Sequence, residues 1–151
     1  MVDWRLLQVI FLCVLPWVEL RGAIPLGAAY NYNVYHLFIG CVIIDILLIP
    51  LIFLFLDFVI PIVTKIDFVD DLYQYAIKRA RKNYKKYEKY EMIGLALFVG
   101  IPLPGTGVYS GTLIAYIFGL KRKKAFFSIA LGALIAGMIV TMITAGVISI
   151  F

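Results

Sequence analysis

The stretch Gly100-Ile101-Pro102-Leu103-Pro104-Gly105-Thr106-Gly107 decides how this chain is read. It interrupts an apolar run from Met92 to Leu120 that holds no charged residue. A basic cluster flanks the run on each side, Lys78 to Lys89 before it and Lys121-Arg122-Lys123-Lys124 after it. An unbroken helix over the run would cross a bilayer and put the clusters on opposite faces. Lysine and arginine beside membrane segments favour the cytoplasmic face, so both clusters belong there. The chain then has to turn inside the membrane and leave by the face it entered. Pro102 and Pro104 each remove a helical donor and clash with the preceding turn. About 10 apolar residues precede the break, or ~15 Å of helix, half of a ~30 Å hydrocarbon core. The expectation is a re-entrant hairpin over residues 92–120, broken at Pro102, Pro104, Gly105, Thr106 and Gly107.

Composition sets the class. Of 151 residues, 64% are hydrophobic and 15% charged, and the mean hydropathy is +0.99. Soluble domains carry roughly 25% charged residues, so this chain reads as an integral membrane protein. Of its 14 lysines and arginines, all but Arg5, Arg21 and Lys65 lie in the two clusters. The net charge of +5 therefore reads as orientation and contact with anionic membrane lipids, and no nucleic acid is expected as a partner. Cys13 and Cys41 fall inside apolar segments, with no Cys-x-x-Cys and a single histidine, His36. They read as buried small side chains, and no metal or cofactor is expected.

The first half repeats the plan of the second. Residues 4–30 are broken at Pro16 and at Gly22-Ala23-Ile24-Pro25-Leu26-Gly27, which like the later stretch sets Ile-Pro-Leu between glycines, with Tyr30 and Tyr109 following. A polar turn, Asn31-Tyr32-Asn33, then leads to a long apolar helix over residues 34–60, as Lys121–Lys124 leads to one over residues 125–151. A secretory signal over residues 1–20 is the competing reading. Asp3 offsets Arg5, however, and more apolar chain follows Glu19-Leu20-Arg21, so the segment is expected to stay. The domain expectation is a single all-α membrane domain. Residues 1–60 form the first hairpin-plus-helix unit, broken at Gly22, Pro25 and Gly27, and residues 92–151 form the second. Residues 61–91 join them as an amphipathic helix in the inner interface, with Tyr73, Tyr84 and Tyr87 on one face. The units enter from opposite faces, making an inverted repeat of the kind secondary transporters use. Both termini are then outside, in a multi-pass protein of the plasma membrane.

Only Glu19, Arg21 and Asp45 put a charge deep in the apolar segments. A charge at that depth costs a few kcal/mol or more, so it normally faces a cavity or a partner. Two residues apart, Glu19 and Arg21 should leave a helix on different sides. Asp45, among isoleucines and leucines at the centre of its helix, is a candidate proton site. Half-helices starting after Gly27 and after Gly107, the latter with Thr106 as N-cap, would turn positive poles toward an anion. Catalysis is not expected. Ser110 lacks the glycine a rhomboid-like motif needs at Val108, His36 is remote, and Asp45 has no second aspartate. In the last helix, Gly132, Ala133, Ala136 and Gly137 allow another helix to approach closely, in this chain or in a second copy, and a homodimer is expected.

The motifs Glu19-Leu-Arg-Gly-Ala-Ile-Pro-Leu-Gly27 and Gly100-Ile-Pro-Leu-Pro-Gly-Thr-Gly107, in a chain of this size, resemble the small multi-drug export protein family. That family resembles in turn the DedA/VTT membrane proteins, whose two re-entrant hairpins serve lipid scramblases and polyprenyl-phosphate translocases. Unlike DedA proteins, this chain has no arginine between Met92 and Leu120. The resemblance implies transport. The leading expectation is a transporter or flippase of a small amphiphilic, anionic, lipid-phosphate-like substrate, proton-coupled through Glu19 or Asp45. The alternatives are a proton-coupled exporter of cationic compounds and a non-transporting membrane scaffold.

Overall fold

A computed structural model describes residues 3–64, 74, 75, 78 and 90–150. Every regular element among them is helical: α1 Trp4–Val14, α2 Glu19–Ala29, α3 Val34–Val63, α4 Tyr90–Gly100, α5 Val108–Ile117 and α6 Arg122–Ile150. With 30 and 29 residues, α3 and α6 are long and apolar enough to cross a membrane. At 1.5 Å per residue each reaches more than ~40 Å, whereas the 11 residues of α1 reach only ~16 Å.

The long helices carry apolar residues on their outer faces as well. Leu47, Leu51, Phe55, Phe58 and Ile62 stand exposed along α3, and Phe127, Leu131, Met138 and Met142 along α6. Water would penalise such stripes, and hydrocarbon does not. Inside, α3 and α6 run antiparallel. The Arg122 guanidinium grips the Asp57 carboxylate at 2.7 and 2.9 Å, while Gly137 lies under Phe38 and Val42. Two apolar clusters flank this pair. One gathers α1 and α2 on the N-terminal half of α3, around Leu20, Ile24 and Val42, and the other gathers α4 and α5 on its C-terminal half, around Ile49, Val99 and Ile129. The small residues of α6 serve packing within the chain. A Cβ on Gly132 would sit 2.7 Å from the Ala96 carbonyl of α4, and one on Gly137 would sit 2.8 Å from Phe38 and Val42 of α3.

Several boundaries differ from the sequence reading. The first turn falls at Pro16-Trp17, not at Gly22–Gly27: Leu15 is extended, as a residue before proline prefers, and α2 runs straight through Gly22, Pro25 and Gly27. Pro25 is exposed on α2, so its missing donor deprives only the Arg21 carbonyl one turn back. Gly22 and Gly27 permit contact, because a Cβ on either would overlap Val18 or Leu37. No helix starts after Gly27; α3 starts at Val34, its first turn capped by the Asn33 side chain accepting from the Tyr35 amide at 2.9 Å. Helix α3 continues past residue 60 to Val63, and α6 starts at Arg122, not residue 125, with Arg122 in its first turn bonded to Asp57. The second break is a coil over residues 101–107, where Gly105 takes φ +85°, a conformation that suits glycine. The amphipathic helix expected over residues 61–91 falls largely outside the described residues.

Candidate functional site

The site forms where the first turn meets the second break. Glu19 opens α2 with φ +48°, a left-handed conformation that costs an ordinary residue about 1–2 kcal/mol. That twist turns its carboxylate back toward Arg21, whose Nη1 donates to Oε2 at 2.7 Å. Two residues apart on a helix the side chains would diverge; they meet because Glu19 is not helical in φ. Both are enclosed, Glu19 at 1% and Arg21 at 13% side-chain exposure.

Each ion sits on a helix pole of opposite sign. Arg21 Nη2 donates to the carbonyls of Val99 at 3.0 Å, Thr106 at 3.1 Å and Ile101 at 3.4 Å, and to the Thr106 hydroxyl at 3.3 Å. Val99 belongs to the last turn of α4, where carbonyls lack helical partners and the dipole is negative. The Glu19 carboxylate accepts from the amides of Val108 at 3.2 Å and Tyr109 at 3.3 Å, the positive opening of α5. Gly107 is the N-cap and supplies no side chain; a Cβ there would overlap the Glu19 carboxylate. One ion pair thus satisfies the two helix ends that the break at residues 101–107 exposes. The positive pole expected to await an anion already holds Glu19. Thr106 does not cap α5. Its hydroxyl donates within the coil, toward the carbonyls of Ile101 at 2.7 Å and Leu103 at 2.9 Å.

Asp45 has no such partners. It is 0% exposed and has no side-chain partner, and of the backbone groups only the Leu20 amide at the start of α2 acts on its carboxyl, short of a close hydrogen bond. The charged and titratable groups that act on it are Glu19, Cys13 and Arg21. One turn before it on α3, Cys41 meets Cys13 of α1 at 2.8 Å between sulfurs. The fold thus brings Glu19, Arg21 and Asp45 into one electrostatic neighbourhood and leaves the last as its unpaired member. The glycines and prolines divide: Pro102, Pro104, Gly105, Thr106 and Gly107 form the coil, while Gly22, Pro25 and Gly27 belong to α2.

Sequence reasoning missed Tyr109. Its amide binds Glu19, and its hydroxyl donates to the Val14 carbonyl at 2.6 Å, tying α5 to the end of α1. The signal was faint but present, since a tyrosine two residues past a glycine-rich break falls in the first turn of the next helix.

No curated protein and no solved structure matches the chain. The family model described as "Putative small multi-drug export protein" matches residues 19–139, beginning at the clamp glutamate and ending within α6. With most of its length covered, and with two helices fit to cross a bilayer, the chain is a membrane protein belonging to the small multi-drug export family.

Proposed function

We propose that this chain is a proton-coupled exporter of small amphiphilic cations, with Asp45 as the carboxyl that exchanges proton for cargo. The observation that carries the reading is the complete enclosure of Asp45 with no ion-pair or side-chain partner on either oxygen. A carboxylate in that position costs several kcal/mol, and a proton or an organic cation removes the cost. Glu19 is a weaker candidate for coupling, because two amides and Arg21 already occupy it. The anionic, lipid-phosphate-like substrate and the flippase role lose support for the same reason. Arg21 is neutralised by Glu19 and engaged by three carbonyls, and the α5 pole is filled. The family description, small multi-drug export, is consistent with an exporter of small compounds.

Several expectations enter this reading as proposals. The pairs α1–α2 and α4–α5 are re-entrant hairpins entering from opposite faces, and each with its long helix is one unit of an inverted repeat. Kinship with the DedA/VTT proteins rests on the two Ile-Pro-Leu motifs, of which only the second breaks its helix. The protein is multi-pass in the plasma membrane with both termini outside, works as a homodimer among membrane lipids, and performs no catalysis.

The functional test is flux in proteoliposomes. A cationic amphiphile should follow an imposed pH gradient, and Asp45→Asn should abolish the gradient response in a folded protein. An unchanged response in that variant, or faster flux of an anionic amphiphile, would defeat the reading. The topology test introduces Asn83→Cys and Arg122→Cys separately into a chain with Cys13 and Cys41 replaced by alanine. An impermeant thiol reagent should reach both from the cytoplasmic side, and labelling from opposite sides would eliminate the second hairpin.

A further inference from the structure

Beside the Glu19–Arg21 clamp lies a cleft of about 250 Å³ between the first turn, α3 and α5. Ile52 and Leu56 of α3 are its buried floor, and Trp17, Phe55 and Tyr109 contribute aromatic walls. Trp17 is 82% exposed although it sits in a turn beside the clamp. Its ring, like that of Phe55, is open to whatever enters the cleft.

We infer that this cleft receives the aromatic arm of an organic cation, held by the ring faces of Trp17, Phe55 and Tyr109. The inference rests on the export reading and names where its cargo docks. Three features favour a cation. Aromatic faces carry negative quadrupole charge and attract cations within ~6 Å. None of the residues around the cleft carries a positive charge. Its two hydroxyls spend their protons on backbone, Tyr109 on the Val14 carbonyl and Ser110 on the Gly105 carbonyl at 2.6 Å, so they retain lone pairs to offer. A larger groove of about 770 Å³, at the Asp57 end of α3, suits a cation less, since Lys123 lines it beside the neutralised Arg122–Asp57 pair and leaves it a net positive charge. The Tyr109 wall is rigid, tied through its hydroxyl to α1 and through its amide to Glu19. Occupancy of the cleft therefore bears directly on the clamp. Its volume lies below the ~300–1,000 Å³ that encloses a whole drug-sized molecule, so it takes one ring-bearing end.

The probes are tetraphenylphosphonium and tetraphenylborate, alike in shape and opposite in charge, with binding measured by equilibrium dialysis on the full chain in nanodiscs. Tetraphenylphosphonium should bind in preference to tetraphenylborate. Trp17→Leu and Phe55→Leu should each weaken it by about three- to tenfold. Both side chains are more than half exposed, so these variants keep the fold. Equal binding of the two ions, no binding of the cation, or cation binding indifferent to both substitutions overturns the inference. If flux follows the pH gradient through Asp45 while both leucine variants bind normally, the export reading survives and the cleft does not. If the cation binds with the expected sensitivity yet never moves across the bilayer, the cleft stands and the export reading falls.

Discussion

Adding one methyl group at Gly107 should unseat Glu19. Gly107 has φ −87°, which any residue adopts, so the backbone itself does not object to alanine. In an unconstrained position Gly→Ala stabilises by about 0.4–1 kcal/mol through the unfolded chain. Here the new Cβ overlaps the Glu19 carboxylate. Driving it out breaks two hydrogen bonds to the α5 amides, at 3.2 and 3.3 Å. Bonds to a charged group contribute about 1.5–3 kcal/mol each, and these are long, so the low end applies. Weakening the buried pair with Arg21 brings the loss to about 3–5 kcal/mol. Gly107→Ala should therefore destabilise by about 3 kcal/mol net, once the backbone gain is subtracted. In a Glu19→Ala background the methyl meets no carboxylate, and the same substitution should become neutral or mildly stabilising. Unfolding by SDS in mixed micelles, followed by tryptophan fluorescence, measures all four corners of the cycle. An equal cost of Gly107→Ala with and without Glu19 would refute the clamp as the filler of that space.

Three further outcomes follow from the same contacts. Asp45→Asn replaces a buried carboxyl that has no ion-pair partner and should not lower the unfolding free energy, whereas Glu19→Gln, the same chemical change, should cost about 2–4 kcal/mol; equal losses in SDS titration would contradict the contrast. Gly132→Ala forces a Cβ toward the Ala96 carbonyl and should cost about 1–3 kcal/mol. Gly146→Ala, with open space around it, should gain about 0.5–1 kcal/mol, so reversed signs would contradict the packing of α6 on α4. At the start of α1, the Tyr32 hydroxyl donates to Asp3 and holds its carboxyl below the usual carboxylate value. A lowered folded-state value means this contribution is present above the unfolded pKa of about 3.9 and fades as pH falls through the folded one. The gap in unfolding midpoint between the wild type and Tyr32→Phe should therefore be full at pH 6 and narrow as pH falls below about 4.

The long apolar helices and the coil at residues 101–107 were legible because their causes are local. Unbroken hydropathy dictates α3 and α6, and two prolines within three residues dictate the coil. The first turn was misjudged because two proline signals competed. Pro16 forces Leu15 out of the helix, while Pro25 loses only one hydrogen bond and keeps an outward-facing ring, so the glycines around it lent α2 a break it does not have. Glu19, Arg21 and Asp45 stood out by charge alone. Their division of labour did not, since the partners of Glu19 and Arg21 are main-chain groups, which composition cannot reveal. Whether Glu19 met Arg21 turned on a single backbone angle at Glu19.

The reach of the clamp bears on how the protein is born. Arg21 and Glu19 contact residues 78 to 90 positions further along the chain. The first half therefore leaves the ribosome holding an ion pair whose recipients do not yet exist. The second half arrives with a carbonyl end and an amide end that nothing in its own sequence closes. Neither half completes its polar contacts alone, so maturation is a joining step between halves, not a sequence of finished modules. A fragment beginning after residue 90 would carry two uncapped helix ends into lipid, the kind of defect that membrane quality control removes. Supplying residues 1–64 as a separate polypeptide should rescue it, because what the fragment lacks is the matching pair of charges and not any segment of its own.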